Sequence, residues 1–433
     1  MKKWLLSLIV LSFTALLIAG CNGNDEENNA ANNTNDTTNN TENDGEGNNA
    51  GDTEEKTKIV FAAQNDNTPA TQAAIDAFNE SQDKYEVTWT EMTNDSAQMH
   101  DQLLTSLSAG SDEYDVLSLD VVWAGEFAGG GYLEPIDMMM EDSDYSIEDF
   151  NSGSMTSGNY KGIQYTLPFF PDLGLLYYRS DIVSEEDAAT LESGDYTYED
   201  LAAMSEKYNG EQGTQYGIVY QSKQYEGLTV NLAEFTGQFE NVEAGLRTMY
   251  DFTTADWTPQ DILNYDEGAT HTAFENGNAV FQRNWPYAYG RVMNPEESES
   301  QVTAEQVGVA PLPNGGAVGG WLLGINNNSA NVEGAWEFIK FLAGPEGQKI
   351  MSTEGGYLPG YNALLDDEEV LASNDLLSFE GFQNALQSTI ARPVTAEYSE
   401  VSDDIQVAAH KYLSSGEGLD EAVQVIEDAL ATE

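Results

Sequence analysis

The order of strand and helix patterns after residue 57 constrains the fold of this chain more than any other feature. Residues 58–63, 85–90 and 115–119 are short runs typical of strands, and residues 85–90 alternate apolar with polar side chains. Between these runs, residues 70–78 and 99–107 carry apolar side chains at helical spacing. A strand-helix-strand-helix-strand order favours a parallel, doubly wound sheet. The chain is therefore predicted to be an α/β protein.

Capping residues predict where the helices begin. Thr68 is suited to cap the first helix and Pro69 to occupy its first position, because the amide hydrogens of a first helical turn have no partner within the helix. Asn94 or Asp95 is expected to start the second helix. Residues 419–430 repeat apolar side chains at helical spacing and predict a helix near the C-terminus.

The first residues of the chain predict export and a lipid anchor. Lys2 and Lys3 precede a nearly uncharged apolar run, so residues 1–20 are expected to be a secretory signal peptide. A single membrane-spanning helix is the alternative. The sequence Ile-Ala-Gly-Cys at 18–21 resembles the lipobox of bacterial lipoproteins. This resemblance implies that Cys21 is lipidated and becomes the new N-terminus.

The segment that follows is expected to be a tether rather than part of the folded body. Residues 22–56 contain no aromatic and no branched aliphatic side chain, so they cannot bury enough apolar surface to fold. With the lipidated cysteine they make a disordered, acidic, Asn-rich tether over residues 21–56. The rest of this 433-residue chain is too long for one ordinary core and predicts two lobes.

Charge and cysteine content narrow the functional classes. Sixteen Lys and Arg against 75 Asp and Glu give a formal net charge of −59. A surface this acidic repels nucleic acid and anionic lipid headgroups. It also points to a high-salt habitat, where ions screen the self-repulsion. Cys21 is the only cysteine, so no intramolecular disulfide can form and stability must come from packing.

Five further segments carry a family resemblance. They read LDVVW at 119–123 with FAGGGYLEPID at 127–137, LPFFPDLGLLYY at 167–178, RNWPYA at 283–288, VGVAPLP at 307–313 leading to GGW at 319–321, and ARPVT at 391–395. In this order they resemble the family 1 extracellular solute-binding proteins, the maltose-binding-like group. The DVVW, NWPYA and RPVT versions are most similar to the trehalose/maltose-binding branch, whose ligands are α-linked glucose disaccharides.

This resemblance implies a two-lobed, periplasmic-binding-protein-like α/β fold of type II, in which each lobe is a sheet flanked by helices. Three hinge crossings are expected near residues 168–172, 317–321 and 374–379. Each lobe is then discontinuous in sequence. Lobe I comprises residues 57–168 plus 321–374, and lobe II comprises residues 172–316 plus 379–433. Ligands of such folds bind in the crevice between the lobes, beyond the carboxyl ends of the strands.

The resemblance also implies a function. The chain is expected to be the lipid-anchored sugar-binding component of an ABC importer, a monomer at the extracellular face of the cell membrane. It would bind a disaccharide such as trehalose or maltose by hinge closure, and the importer's transmembrane subunits would recognise the closed form. No cofactor and no metal are implied. The loop at 64–67 departs from the expected pattern because no carboxylate precedes Asp66, which leaves the choice of disaccharide open.

A sugar needs flat rings for its apolar faces and charged groups for its rim of hydroxyls. Trp285 and Trp321 are the expected stacking rings, with core packing as the alternative for each. Asp120 at the end of a predicted strand and Asp172 at a crossing are expected to accept hydroxyl hydrogen bonds. Arg392 is expected to hold vicinal hydroxyls or to clamp those carboxylates, with a salt bridge in acidic surroundings as its alternative.

Six more residues are weaker candidates for ligand contact, and they lie in the quoted motifs or in the first loop. They are Phe170, Trp123, Tyr287, Gly320, Gln64 and Asp66. For Trp123 and Tyr287 a place in the core is at least as good an interpretation.

Two other functions remain open at this point. Tryptophan faces and Asp carboxylates also suit a polyamine or another cationic solute, although Arg392 would oppose a cation in the same crevice. A surface glycosidase would need a carboxylate pair, which 75 acidic residues supply by chance. The three histidines, His100, His271 and His410, show no metal-binding spacing, and neither a phosphate loop nor a nucleophile elbow is present. The chain is therefore predicted not to be an enzyme.

Overall fold

A computed structural model describes residues 55–66, 68–293 and 295–431, and two main β-sheets organise this part of the chain. The strands are β1 (Thr57–Gln64), β2 (Tyr85–Met92), β3 (Val116–Asp120), β4 (Asn159–Tyr160), β5 (Ile163–Gln164), β6 (Thr166–Leu173), β7 (Leu175–Arg179), β8 (Tyr216–Val219), β9 (Ala279–Asn284), β10 (Val307–Ala310), β11 (Gly316–Ile325) and β12 (Thr389–Ile390). The helices are α1 (Ala70–Ser81), α2 (Ser96–Ser108), α3 (Ala124–Gly129), α4 (Asp137–Glu141), α5 (Ser152–Ser157), α6 (Glu185–Ser193), α7 (Tyr198–Tyr208), α8 (Glu226–Thr236), α9 (Val242–Thr254), α10 (Glu267–Glu275), α11 (Tyr287–Met293), α12 (Pro295–Ser298), α13 (Val332–Ala343), α14 (Pro345–Gly355), α15 (Glu368–Ser373), α16 (Glu380–Leu386), α17 (Tyr398–Ser415) and α18 (Leu419–Leu430). Within the described ranges, no helix is both long enough and apolar enough to span a bilayer. The signal peptide expected at 1–20, the lipidated Cys21 and the tether up to residue 54 lie outside the described residues.

The first sheet has the strand order β12-β11-β3-β1-β2, and β6 also pairs with β11. As predicted, β1 runs parallel to β2 and to β3, so that Phe61 lies opposite both Trp89 and Val116. The sheet as a whole is mixed rather than parallel, because β11 runs antiparallel to β3 and to β6. Strand β11 enters the sheet from the other lobe, so no crossover helix sets its direction.

The start of α1 differs from the prediction. The helix begins at Ala70, and Pro69 is the flanking residue rather than the first helical one. The Thr68 hydroxyl accepts a hydrogen bond from the Ala70 amide at 3.3 Å, as predicted for a cap. The Asp66 carboxylate adds to this cap, since it accepts hydrogen bonds from the Thr68 amide at 2.8 Å and from the Thr71 amide at 3.1 Å. The two side chains together give partners to amides of the first turn that have none within the helix.

Other predicted boundaries are confirmed. Asp95 caps α2 by accepting a hydrogen bond from the Gln98 amide at 3.0 Å. The third strand ends at Asp120, one residue later than predicted. The C-terminal helix α18 covers residues 419–430, as its apolar spacing indicates.

The second sheet has the order β10-β7-β9-β8 and belongs to the other lobe. Strand β7 runs antiparallel to β9 and β10, whereas β8 runs parallel to β9. Helices α7, α8, α9, α17 and α18 contribute to one large apolar cluster on this sheet. Its centre includes Tyr198, which stacks on Phe235 with ring centroids 4.2 Å apart, and Phe252, which meets Phe235 edge to face. This lobe therefore has its own core.

Two of the strands also carry the chain between the sheets. Strand β6 ends at Leu173 in the first sheet, and β7 begins two residues later in the second. Strand β11 returns beside it, with Val318 opposite Leu173 and Gly319 opposite Asp172. A short 3-10 helix at Asp375–Ser378 lies between α15 and α16. The paired crossings β6 and β11 form the floor on which the site lies.

Candidate ligand-binding site

The ends of three strands bring the main predicted site residues together beside the crossing strands β6 and β11. Asp120 ends β3 and lies opposite Trp321 of β11. On the other side of β11, Phe170 of β6 lies opposite the same tryptophan. Trp285 follows directly after β9, and Arg392 follows two residues after β12. Carboxyl ends of strands from both sheets therefore meet at one crevice.

Trp321 and Trp123 form an edge-to-face pair, with ring centroids 5.4 Å apart and an interplanar angle of 88°. Trp123 is 6% exposed and packs with Phe127 and Leu119 in a core cluster of the first lobe. Trp321 is half-buried. Trp321 is thus the ring of the pair that a solute can reach, and Trp123 supports it from behind.

Trp285 is a half-buried ring with its own backing. The Arg283 guanidinium lies 4.1 Å from the ring centroid, which is the geometry of a cation–π contact. At the ring edge, the backbone of Gly319 approaches so closely that a Cβ there would lie 2.8 Å from the indole. The indole nitrogen lies 3.5 Å from a Glu267 carboxylate oxygen. A solute could therefore stack only on the face opposite Arg283.

Two carboxylates, Asp120 and Asp172, line the same crevice and repel one another. Burial raises the pKa of Asp120, and the neighbouring Arg392 guanidinium opposes that shift only in part. Burial raises the pKa of Asp172 to about 7, with Arg283 opposing the shift and Asp120 adding to it. Near neutral pH, Asp172 is therefore close to its titration midpoint and is able either to accept or to donate a hydrogen bond.

Arg392 links the two lobes at the crevice. Its side chain is 6% exposed and lies 3.9 Å from the Asp120 carboxylate. It donates to Glu226 at 2.7 Å and to the Val318 carbonyl oxygen at 3.3 Å. The Nε atom of Arg392 has no hydrogen-bond partner among the described residues. The salt-bridge alternative considered for this arginine is thus present, and one donor remains for a further partner.

Glu226 is one of two residues that sequence reasoning missed. It opens α8 and accepts hydrogen bonds from the Tyr398 hydroxyl and the Ser402 hydroxyl, each at 2.5 Å, as well as from Arg392. No local pattern signals it, since one glutamate among 75 acidic residues carries no information. Arg283 was also missed, although it lies inside a quoted motif and arginine is scarce in the chain.

The first-loop candidates are engaged within their own lobe. The Gln64 amide oxygen accepts a hydrogen bond from the Ser118 hydroxyl at 2.8 Å. Asp66 accepts hydrogen bonds from Thr68 and Thr71 and from the Tyr357 hydroxyl at 2.8 Å. Burial alone would raise the pKa of Asp66, but these hydrogen bonds outweigh it and lower the pKa. Both side chains therefore make structural hydrogen bonds that do not depend on a ligand.

Phe170, Asp172 and Tyr287 line a cavity of about 350 Å³. The Phe170 ring lies 4.5 Å from the ring of Tyr357, which also lines this cavity. Tyr287 is 48% exposed, so the core alternative considered for it does not apply. Its ring meets that of His271 edge to face at 4.9 Å. A cavity of this volume is within the range of small-molecule sites.

Gly320 precedes Trp321 in β11, lies opposite Pro171 of β6 and has a φ of +94°. A Cβ at this position would collide with the Phe170 carbonyl oxygen and lie 2.7 Å from the Asp172 amide nitrogen. Its own carbonyl oxygen accepts a hydrogen bond from the Val121 amide at 3.2 Å. Glycine is therefore required here by the close approach of the crossing strands. Across the described ranges, no cluster of three or more His, Cys, Asp or Glu side chains is placed to hold a metal ion.

Comparison with known proteins agrees with this arrangement. The family model for Bacterial extracellular solute-binding protein matches residues 62–349. A Deinococcus radiodurans relative named Probable ABC transporter-binding protein is 28% identical over 355 residues, covering 75% of this chain and 81% of that protein. The Maltotriose-binding protein of Pyrococcus abyssi is 26% identical over 313 residues, covering 67% of this chain and 64% of that protein. The solved structure of maltose-bound T. maritima MalE3 is 29% identical with a TM-score of 0.70, covering 86% of this chain and 99% of that chain.

These comparisons confirm the predicted two-lobed α/β fold and the predicted resemblance. They also confirm the prediction of a binding role without catalysis, because the family and the relatives are binding proteins. The matched segment spans more than half of the chain. The chain therefore belongs to the family of bacterial extracellular solute-binding proteins.

Proposed function

We propose that this protein is the sugar-binding component of an ABC importer and that an α-linked glucose disaccharide, such as maltose or trehalose, binds in the crevice. One observation carries the proposal. Two half-buried tryptophan rings, Trp285 and Trp321, lie beside the carboxylates Asp120 and Asp172 and the guanidinium of Arg392. Flat apolar faces next to charged hydrogen-bonding groups are what a pyranose requires. The named sugars of the relatives, maltotriose and maltose, support the same ligand class.

Closure of the crevice is the proposed mechanism of capture. The contacts between Asp120 and Arg392 already join the end of β3 to the chain beyond β12. A disaccharide that touches residues of both lobes favours the closed form by its differential affinity, and the importer's transmembrane subunits would recognise that form. For the lobes we propose residues 57–168 plus 321–374 and residues 172–316 plus 379–433. The three hinges are then at 168–172, 317–321 and 374–379.

The proposal includes anchoring of a monomer to the extracellular face of the cell membrane. Residues 1–20 would direct export, Cys21 would carry the lipid, and residues 21–56 would give the folded body its reach. The net charge of −59 supports a high-salt habitat. Labelling with a radioactive fatty acid tests the anchor, since the Cys21→Ala variant is expected to lose the label and to appear in the medium.

A cationic solute is the second candidate, because two acidic side chains, Asp120 and Asp172, lie in a crevice with tryptophan faces. Two guanidinium groups argue against it. Arg283 already occupies one face of Trp285, and Arg392 lies 3.9 Å from Asp120. Each would repel a second cation at close range in a partly desolvated site. The structure therefore favours a neutral polyol over a polyamine.

Isothermal titration of the purified protein in high salt tests the ligand class. The panel comprises maltose, trehalose, sucrose, spermidine and glycine betaine. We expect saturable binding of a disaccharide in the wild type and loss of that binding in Trp321→Ala. The matched control is Trp257→Ala, because Trp257 is also half-buried but packs on Phe252 in the core of the second lobe, with ring centroids 5.0 Å apart. Binding of spermidine or betaine alone would reject the sugar proposal.

A further inference from the structure

Glu234 of α8 and Arg283 of β9 form an ion pair inside the second lobe. Their side chains are 1% and 3% exposed. The pair is bidentate, with Arg283 Nε donating to Glu234 Oε2 at 2.8 Å and Nη2 donating to Oε1 at 2.5 Å. Taking two charges out of water is costly, and apolar residues of similar size often replace such pairs without loss of stability. Stability alone is therefore a poor reason for this pair.

One side of the pair faces the ligand site. The Arg283 guanidinium covers a face of Trp285 at 4.1 Å from the ring centroid. It also acts on Asp172, where it opposes the rise in pKa that burial causes. Arg283 thus contacts the proposed stacking ring, Trp285, directly and interacts electrostatically with the proposed hydroxyl acceptor, Asp172.

The other side of the pair faces both crossing strands. Glu234 Oε1 accepts a hydrogen bond from the Ala317 amide, near the start of β11, at 3.0 Å. Gly174 lies between β6 and β7 and donates its amide to the Ala317 carbonyl oxygen at 3.0 Å. A Cβ on Gly174 would collide with Glu234 Oε1 and lie 2.6 Å from Arg283 Nη2. Both crossings therefore pack directly against the ion pair, with no space for a side chain between the crossings and the pair.

We propose that the Glu234–Arg283 pair is a positioning element that holds the plane of Trp285 and ties it to the two hinge crossings. Through Arg283 the pair fixes the back face of the ring, so that the opposite face is presented to the ligand. Through Glu234 it fixes Ala317, so that a rotation of the crossings moves the ring. The pair thereby couples stacking of the sugar to closure of the lobes. This inference rests on the proposed function, since it assigns a partner to the proposed stacking ring.

A double-mutant cycle in the full-length protein tests the link to Trp285. The variants are Arg283→Met, Trp285→Ala and both together, and the probe is the disaccharide that the wild type binds most tightly. We expect Arg283→Met to weaken binding about tenfold in the wild type, because a ring that is no longer held in place must be ordered when the sugar binds. In the Trp285→Ala background the same change should have little further effect. Equal, additive losses in the two backgrounds would overturn the proposal.

A control separates positioning from general damage to the core. Arg179 is also a buried arginine of the second sheet, paired with Asp181 at 2.6 Å. Arg179→Met should lower stability to urea without weakening sugar binding. If Arg283→Met does not fold, Glu234→Gln replaces it, because glutamine keeps the shape of the carboxylate and removes its charge.

Hydrogen exchange of the unliganded protein tests the link to the crossings without any ligand. We expect Glu234→Gln to speed exchange of the Ala317 amide, read from peptides that cover residues 312–322, whereas Arg179→Met should leave it unchanged. Unchanged exchange in Glu234→Gln would overturn the coupling to the hinge. A wild type that binds no sugar of the panel, combined with faster exchange in Glu234→Gln, would reject the proposed function but keep the pair as a hinge support.

Discussion

Replacing Gly320 by alanine tests the claim that the crossing strands leave no space for a side chain. The residue has a φ of +94°, which an L-amino acid with a Cβ adopts only at a cost. The new methyl group would also collide with the Phe170 carbonyl oxygen and lie 2.7 Å from the Asp172 amide nitrogen. Both neighbours are backbone atoms of the adjacent strand, so neither can rotate away. The strands would therefore have to move apart.

The expected loss of stability follows from these two terms. The left-handed backbone conformation costs about 1–2 kcal/mol for a residue with a Cβ. Forcing an additional methyl group into a packed position costs about 1–3 kcal/mol more. Gly320→Ala should therefore lower the free energy of unfolding by about 2–5 kcal/mol. Because β11 carries Trp321 next to this position, ligand affinity should fall as well.

Gly131→Ala is the matched control, since Gly131 has a φ of +73° and no atom within 4 Å of the new methyl group. This variant should lose only the free energy of unfolding that the backbone conformation costs, about 1–2 kcal/mol. Urea titrations followed by tryptophan fluorescence and by circular dichroism measure both variants, and agreement of the two signals supports a two-state analysis. If Gly320→Ala is no less stable than Gly131→Ala, the close approach of the strands does not limit this position.

Three further predictions follow from charge. Burial lowers the pKa of His271 to about 4, and neither of its ring nitrogens has a hydrogen-bond partner in the part of the chain that the structure describes, so the unfolded form binds the proton more readily. Stability should therefore fall as pH drops from about 6.5 to 4, and thermal melts of His271→Leu should show a weaker fall. The pH dependence that Asp172 adds to stability has the opposite sign, because its pKa is raised to about 7 in the folded form, which therefore keeps the proton to a higher pH. Its contribution to stability should decline as pH rises from about 4 to 7, and Asp172→Asn should remove that decline in the same melts. Arg392→Lys keeps one charge but cannot reach both Glu226 and Val318, so calorimetry should show sugar binding weakened by about tenfold or more.

Local pattern was sufficient for the parts of the fold that depend on neighbours in sequence. Periodicity located β1, β2, β3 and the helices between them, and it predicted their parallel order correctly. It could not show that β6 and β11 pair antiparallel to each other in the same sheet. In that pairing Leu173 lies opposite Val318, and the residues of the second sheet separate the two in sequence, so no local signal specifies it. Helix α1 begins at Ala70, one residue later than predicted, and the pattern did not show that Asp66 joins Thr68 in capping it.

The candidate site divides in the same way. Their positions in the motifs predicted Asp120, Trp321 and Arg392 as site residues, and the structure places all three at one crevice. Burial was not readable from the motifs. Trp123 and Trp321 both follow small or apolar residues. Trp123 is nevertheless only 6% exposed, whereas the neighbouring Trp321 is half-buried. The partner of Arg392, Glu226, lies 166 residues away and belongs to no motif.

The distribution of arginine explains why so acidic a chain can build this crevice. The chain has only five arginines, and Arg179, Arg283 and Arg392 are buried. Two of them face the crevice, where Asp120 and Asp172 lose their water and have raised pKa values. Without Arg392 and Arg283, both acids would be protonated at higher pH still and would lose their value as hydroxyl acceptors. The remaining negative charge lies largely on the surface, where salt screens it, so solubility and ligand recognition make separate demands on the sequence.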